Sequence, residues 1–239
     1  MRLEGVSLLA APTARSQAYL QALVANHLFP ENVITMDTAV PSDHADRPND
    51  SSWNGIVLPR LDEPLAATCD RAGIPLVRCA ARDVNATEAM TAIRELAPKI
   101  VIYSGYGGQI IGDDMLDCSQ FLHVHSGWLP AYRGSTTLYY ALLMGEDPGV
   151  TALILDRNID TGPIVARRRY PKPRRGMDVD RVYDSAIRAD LLVRVMSSYA
   201  SEGCLPSVGR QTPDEGITYY VIHPVLKHLA ILSLEVDAR

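Results

Sequence analysis

Short apolar segments alternate with amphipathic segments along most of the chain, and this alternation restricts its fold more than any other feature. The short segments are typical of buried β-strands. The amphipathic segments carry apolar residues three and four positions apart, which is typical of helices. The clearest strands are predicted at residues 6–10, 33–36, 76–78, 99–103, 121–125 and 150–155. Strands that alternate with helices favour an α/β fold, with a Rossmann-like wound, mostly parallel sheet and right-handed crossovers.

The chain's length sets its domain organisation. Its 239 residues allow one domain and a small extension. We predict a catalytic domain at residues 1–205 and a C-terminal extension at 206–239, where the segments ITYYVI and LAILSLEV predict a β-hairpin. The polar residues 37–54 predict a long loop. Hydrophobic residues make up 47% and charged residues 21% of the chain, which excludes a disordered chain and a coiled coil.

The charge and cysteine content limit the partners and the compartment. A formal charge of −5 provides no general attraction for nucleic acid or for an anionic membrane, so we expect neither as a partner. Residues 166–175 carry six cations, which is consistent either with a solvated strand and loop or with a dock for an anion such as a phosphate or a polyglutamate tail. No cysteines form a CxxC pair, and the first apolar run is too short for a signal peptide. We therefore expect reduced thiols in a cytoplasmic protein.

Three predicted strand ends carry residues suited to chemistry. His123 and His125 end one strand, and the two-residue period of a strand places both side chains on the same face. The next helix and strand are interpreted as a βαβ crossover, which would bring Asp156 and Asp160 to the same sheet edge. The preceding strand ends in a glycine-rich turn, Ser104–Gln109. Ligands bind at this edge of wound sheets, and two histidines with a carboxylate form an acid–base group, so we predict the active site here.

The segment HVHSGWLPAYRG, followed about twenty residues later by LDRNIDTGPI, resembles the folate-dependent formyltransferases. This family includes glycinamide ribonucleotide, methionyl-tRNA and sugar-nucleotide N-formyltransferases. His125 and Asp160 match the family histidine and aspartate, and His123 stands where the family has asparagine. The family's loop motif is matched by Leu129, Pro130, Tyr132, Arg133 and Gly134. The resemblance is sharp over residues 100–170 and extends over 1–200.

The resemblance implies the formyltransferase fold and transfer of a formyl group from 10-formyltetrahydrofolate to an amine. It implies that His125 and Asp160 are catalytic. We add His123 as a third catalytic candidate, because a histidine N–H could serve as a second donor to the oxyanion. The expected donor-binding residues are Tyr103, Ser104, Gly105, Tyr106, Gly107, Gly108, Gln109, Ile110, Asp156 and Thr161. The expected acceptor-binding residues are Ser126, Tyr132, Arg133, Ser135, Thr136 and Tyr139.

The acceptor and the role of His123 stay open at this point. The chain is too short for the large C-terminal barrel of the family's tRNA enzymes, which favours a small-molecule amine as the acceptor. Whether the protein forms a homodimer stays open as well. A nucleotide-linked amino sugar is the first candidate and an amino acid or natural-product amine the second. A histidine at position 123 is compatible with oxyanion stabilisation, a different acyl donor or lost activity. The alternatives are a formyltetrahydrofolate hydrolase, a non-catalytic binding module, and a metal site of two histidines and a carboxylate, although the resembled family is metal-free.

Overall fold

The computed structural model describes residues 1–36, 51–212 and 215–234, so most of the predicted loop at 37–54 lies outside the described residues. The strands are β1 (Arg2–Ala10), β2 (Phe29–Thr35), β3 (Ser52–Trp53), β4 (Ile56–Val57), β5 (Leu76–Arg78), β6 (Ile100–Ser104), β7 (Gln120–His125), β8 (Tyr132–Gly134), β9 (Gly149–Ile154), β10 (Ile164–Arg169) and β11 (Ile217–Tyr219). The helices are α1 (Ala14–Ala25), α2 (Leu65–Ala72), α3 (Thr87–Leu96), α4 (Asp113–Leu116), α5 (Thr137–Leu143), α6 (Asp184–Glu202) and α7 (Pro224–Ser233). A π-helical turn, Val179–Tyr183, leads into α6.

Seven strands form the central sheet, in the order β10-β9-β7-β6-β1-β2-β5. The five strands from β7 to β5 pair in parallel, while β9 runs antiparallel to β7 and β10 antiparallel to β9. The predicted mostly parallel α/β sheet is therefore confirmed. No helix among the described residues is both long and apolar enough to cross a membrane.

The predicted parallel crossover between β7 and β9 is wrong. Thr151, near the start of β9, pairs with His125 at the end of β7, so β9 enters the sheet at the edge where β7 leaves it. The connection contains β8, which pairs with β11 outside the central sheet, and the seven-residue α5, which is about 10 Å long. The chain therefore stays at one edge and β9 runs back.

Helices cover both faces of the sheet and separate its core into two main clusters. Leu122 and Val124 of β7 pack in the cluster that also contains residues of α1 and α6. Phe121 packs in the cluster on the opposite face, with residues of α3. Because side chains alternate along a strand, His123 and His125 share the face of Phe121.

The predicted C-terminal β-hairpin is wrong in its second half. Residues Ile217–Tyr219 form β11, which pairs in parallel with β8, but the LAILS residues belong to α7. Pro224 occupies the first turn of α7, where a missing N–H costs nothing, and the His223 ring accepts a hydrogen bond from the Val225 N–H at 3.2 Å. The fully buried Ala230 belongs to the same core cluster as residues of α5, so tertiary packing favours a helix there. The division at residue 205 stays a prediction.

Candidate active site

The two histidines lie on one face of β7, as predicted. His123 is opposite Leu153 of β9, and His125 is opposite Thr151. The His125 side chain is buried and that of His123 is half-buried. The antiparallel β9 lies next to the histidines in the sheet, because its residues pair with them directly.

Asp160 reaches His125 through a folded loop and not from a strand end. β9 ends beside the start of β7, where the Leu155 N–H donates to the Phe121 carbonyl, so Asp156 lies at the opposite end of β7 from His125. The prediction that Asp156 shares the histidines' edge is therefore wrong. The loop then returns over the sheet, with Asp160 in the left-handed region at φ 55°.

The loop can return because Gly162 passes directly over the backbone of β9. A Cβ at Gly162 would lie 1.8 Å from the Ile154 carbonyl oxygen, so only glycine fits. The glycine of the DTG motif thus has a structural reason that requires no ligand.

His125 is held by three neighbours. Its Nδ1 lies 3.4 Å from Oδ2 of Asp160, and its Nε2 lies 2.8 Å from the Tyr132 carbonyl oxygen. The Thr137 hydroxyl is 3.5 Å from the same Nε2. A carbonyl oxygen only accepts hydrogen bonds, so the network assigns the Nε2 proton to this contact. The Nδ1 atom is therefore the one that faces the carboxylate and the active-site space.

His123 has a different electrostatic environment. Burial, followed by the guanidinium charges of Arg188 and Arg15, lowers the pKa of His123 well below its ordinary value. The ring is therefore neutral at physiological pH and can donate one hydrogen bond, not two. Its Nδ1 is buried and has no hydrogen-bond partner among the described residues. Its ring centre lies 5.9 Å from that of Tyr103.

The glycine-rich turn after β6 is fastened at its base. Nε of Arg15 donates to the Ser104 hydroxyl at 3.2 Å, and its guanidinium also donates to the Gly105 carbonyl. The Gln109 amide donates to the Arg82 carbonyl at 2.6 Å. The tip residues Gly107 and Gly108 are exposed, with no atom within 4 Å of a Cβ added to either. A firmly held turn with an open backbone at its tip is well suited to a ligand that binds through backbone groups.

The remaining predicted donor residues surround this turn and the Asp160 loop. The Tyr103 hydroxyl is buried and has no hydrogen-bond partner within residues 1–36, 51–212 and 215–234. Tyr106 is half-buried, and Ile110 is 63% exposed. Thr161 donates to Oδ1 of Asp156 at 2.7 Å, which closes the loop on itself. An ion pair of 3.3 Å between Arg157 and Asp113 joins this loop to the segment after the turn.

A cavity of about 200 Å³ opens beside His125. It is lined by His125, Ser126, Gly134, Thr136, Thr137, Leu138, Tyr139, Asp180, Asp184 and Arg188. Three predicted acceptor residues, Ser126, Thr136 and Tyr139, are in this lining. The sequence reasoning missed Asp180, Asp184 and Arg188, since they lie in a helical segment interpreted only as packing.

The three missed residues form a polar wall. The Tyr139 hydroxyl donates to Asp180 at 2.5 Å, and the Ser126 hydroxyl donates to Asp184. Arg188 lies 3.5 Å from Asp184. A π-helical turn at this point resembles those found at functional sites, because it changes which side chains face the same way.

The other three predicted acceptor residues lie outside the lining. The Tyr132 hydroxyl donates to Glu146 at 3.0 Å, and burial together with this bond raises the pKa of Tyr132 to about 12. Arg133 donates to the Thr212 carbonyl at 3.1 Å. The Ser135 side chain is exposed. Tyr132 and Arg133 therefore hold the loop that follows β7.

The C-terminal segment completes the site. The Gln211 amide donates to the carbonyls of Asp160 at 3.0 Å and Gly162 at 2.8 Å, which fixes the loop that carries the carboxylate. The Tyr219 ring lies between the rings of Tyr132 at 5.3 Å and Tyr140 at 4.6 Å. No motif marks Gln211, and only its position in the fold identifies it.

The basic run at 166–175 is partly engaged inside the protein. The guanidinium groups of Arg167 and Arg169 lie over the Trp128 ring at 4.7 Å and 4.8 Å. Arg168 lies 4.0 Å from Asp190. These contacts favour the interpretation of this run as structural over its interpretation as an anion dock.

The model of the formyl transferase family matches residues 38–189, which include β7 and the Asp160 loop. The chain belongs to this family. The family resemblance of the HVHSGWLPAYRG and LDRNIDTGPI segments is thereby confirmed.

Individual members of the family give the extent of the likeness. The methionyl-tRNA formyltransferase of Halorhodospira halophila is 36% identical over 138 residues, which is 55% of this chain and 43% of that protein. The chain spans about half the length, or less, of the curated relatives it matches first.

Solved structures of formyltransferases share the fold. A sugar N-formyltransferase from Shewanella superposes with a TM-score of 0.57 at 13% identity, over 96% of this chain and 87% of that one. The phosphoribosylglycinamide formyltransferase of Streptococcus pneumoniae superposes with a TM-score of 0.56 at 16% identity, over 83% of this chain and 98% of that one.

Proposed function

We propose that this protein is a cytoplasmic N-formyltransferase that transfers a formyl group from 10-formyltetrahydrofolate to a small-molecule amine. The observation that carries the proposal is the 3.4 Å contact between His125 and Asp160 at the wall of a cavity, with His123 on the same face. Membership of the formyl transferase family supports the reaction class.

The reaction sets three demands on the site. The amine has to attack the formyl carbon as a free base, the oxygen of the tetrahedral intermediate needs stabilisation, and a proton has to pass from the amine to the folate nitrogen. We assign stabilisation of the oxygen to His123, since preorganised groups at a developing charge are usually the largest single contribution to catalysis. The Nδ1 lone pair of His125 faces Asp160, and we assign both residues to the acid–base group. We assign the proton transfer to Asp160, directly or through water.

The donor is proposed to bind between the glycine-rich turn and the Asp160 loop. Exposed backbone at Gly107 and Gly108 matches the hydrogen-bonding edge of a flat pterin ring. His123 lies beside Tyr103 at the base of this turn, so the formyl group would extend toward the histidines.

The acceptor is proposed to enter through the cavity beside His125. Its volume of about 200 Å³ is below the 300–1,000 Å³ usual for drug-sized ligands, so only part of an acceptor would be enclosed. In its wall the carboxylates of Asp180 and Asp184 are paired with Lys227 and Arg188, so the wall is polar and contains both signs of charge. An amino sugar linked to a nucleotide remains the first candidate and an amino acid or natural-product amine the second.

Substitution of the central pair tests the assignment. His125→Ala and Asp160→Asn should each reduce formyl transfer about 10²–10³-fold, the usual scale for loss of one stabilising group in a transition state. His228→Ala and Asp117→Asn, at exposed positions outside the site, are the matched controls and should keep wild-type rates.

Tetrahydrofolate release is measured with and without an amine. Transfer within a few-fold of wild type in both site variants would contradict the assignment. Equal release without any amine would identify the protein as a hydrolase instead.

A further inference from the structure

We propose that His123, His125 and Asp160 bind one divalent metal ion of the zinc class. Each side chain offers one ligand atom, and these atoms all lie within 4.8 Å of one another. Two imidazoles and one carboxylate form a common protein ligand set for catalytic zinc. The inference rests on the proposed function, because it names the group that polarises the formyl oxygen at the same site.

The hydrogen bonding of His125 is that of a metal ligand. Its Nε2 donates to the Tyr132 carbonyl at 2.8 Å, so in the neutral ring Nδ1 carries a lone pair. That lone pair faces Oδ2 of Asp160, which is also an acceptor. Two facing acceptors require a proton or a cation between them. Metal-ligating histidines usually donate their other ring N–H to a backbone carbonyl or a carboxylate, which is the arrangement seen here.

The separation of the two atoms favours a cation over a shared proton. A charge-assisted hydrogen bond between a ring nitrogen and a carboxylate oxygen is usually about 2.7–2.9 Å long. Two ligands that are each about 2.1 Å from a tetrahedral zinc ion lie roughly 3.4 Å from each other. The Nδ1 to Oδ2 distance is 3.4 Å.

His123 supplies the third ligand. Its Nδ1 is buried and has no hydrogen-bond partner in the part of the chain that the structure describes. A buried polar atom without a partner is costly, and a metal ion that accepts its lone pair removes that cost. This account also explains the departure from the family pattern, because asparagine offers an amide N–H at this position and histidine offers a ligand.

The carboxylate is oriented before any ion binds. The Gly134 N–H donates to Oδ2 of Asp160 at 2.8 Å, and Gln211 holds the Asp160 backbone carbonyl. Such supporting hydrogen bonds fix ligand orientation in metal sites.

The ion acts as a Lewis acid in the transfer. It accepts a lone pair of the formyl oxygen while the amine nitrogen forms its bond to the formyl carbon. The bond between that carbon and the folate nitrogen then breaks, and the amine proton ends on the folate nitrogen. No electron is gained or lost, so a redox-inactive ion suffices.

Metal binding by the full chain tests the proposal without using activity. The protein is dialysed against a chelator and titrated with Co²⁺ and with Zn²⁺. We expect one ion per chain, with the visible absorption of four- or five-coordinate Co²⁺, which Zn²⁺ displaces. Absence of stoichiometric binding, or a spectrum of six-coordinate aquated Co²⁺, would overturn the proposal.

Variants locate the site. His123→Asn and Asp160→Asn should each weaken Co²⁺ affinity at least tenfold, since even supporting residues of metal sites contribute 10–100-fold. The matched controls are His228→Asn, on the exposed side of α7, and Asp117→Asn, at an exposed position outside the site, and both should bind Co²⁺ like wild type. Unchanged binding in His123→Asn and Asp160→Asn, with both variants folded by circular dichroism, would contradict the proposal.

Chelation separates this inference from the proposed function. We expect wild-type transfer to fall at least tenfold after chelation and to return with Zn²⁺. His123→Asn, which restores the family residue, should transfer at a rate that chelation does not change. Full wild-type transfer after chelation would contradict the metal-ion proposal and would leave the transferase proposal unaffected. Binding of Co²⁺ without formyl transfer to any amine would support the metal site and contradict the transferase proposal.

Discussion

At the scale of single residues, the site depends on backbone positions that few side chains tolerate. Asp160 adopts a left-handed conformation, which asparagine and aspartate accept more readily than most residues. Two positions later, Gly162 passes so close to the Ile154 carbonyl that no Cβ fits. The carboxylate therefore reaches His125 because the DTG segment combines a tolerant residue with an obligatory glycine.

Gly162→Ala should destabilise the protein and displace Asp160. Overpacking against backbone costs about 1–3 kcal/mol, which corresponds to a fall in Tm of roughly 2–12 °C for a chain of this size. Gly107→Ala is the matched control, because a Cβ there meets no atom within 4 Å. Thermal unfolding of the two variants measures the difference, and equal Tm values would show that the close approach at Gly162 is relieved without cost.

The residues of the site fall into two groups: those that the sequence identifies and those that only the structure identifies. His123, His125 and Asp160 were identified from their spacing and from the family resemblance, and the structure brings them together. Arg15 and Gln211 were not identified, because they act on segments 89 and 51 residues away in the chain, and no local pattern encodes such contacts.

At the scale of elements, a loop and not a strand end brings Asp160 to the histidines at the end of β7. The antiparallel β9 carries the chain away from His125, and the loop before β10 has to return. Gln211 ties this loop to the C-terminal segment through two hydrogen bonds. The position of the Asp160 carboxylate, for which we propose a catalytic role, therefore depends on a residue outside the motif that contains it.

Gln211→Ala should slow transfer by moving the Asp160 loop. A displacement of about 1 Å at a catalytic group can reduce the rate about 10²-fold. We expect kcat to fall at least tenfold, with little change in the KM for the amine. Gln211→Glu keeps a hydrogen-bond-accepting oxygen but loses the N–H donor, so its kcat should fall by a similar factor. Arg210→Ala, at the exposed neighbouring position, serves as the control. A lower Tm with an unchanged kcat would show that Gln211 has a structural role only.

The tyrosine cluster around β11 joins the C-terminal segment to the loop after β7. Tyr219→Ala removes ring contacts with Tyr132 and Tyr140, each worth about 0.5–1.5 kcal/mol, so it should lower the free energy of unfolding by about 2 kcal/mol. Tyr220→Ala changes a side chain that is 81% exposed and should be nearly neutral. Urea unfolding compares the two, and equal stabilities would exclude the stacked cluster as a stabilising contact.

At the scale of the whole molecule, the order of strands and helices was largely predictable and the direction of two connections was not. Buried parallel strands such as β6 have uninterrupted apolar runs, and that pattern predicted the strands of the parallel sheet. The apolar run of β9 does not encode the direction in which the strand runs. The helix at α7 depends on packing beside α5, and apolar content alone does not distinguish such a helix from a strand. The C-terminal segment thus contributes a strand, a helix and Gln211 to one assembly around His125.

The release of tetrahydrofolate from 10-formyltetrahydrofolate tests the central claim most directly. The full chain is incubated with the donor and a panel of amines that includes nucleotide-linked amino sugars and amino acids. The products are identified by mass spectrometry. The account predicts amine-dependent release, with one formyl group added to the amine for each tetrahydrofolate formed, and loss of both in Asp160→Asn. Absence of folate binding and of formylated product with every amine would contradict it.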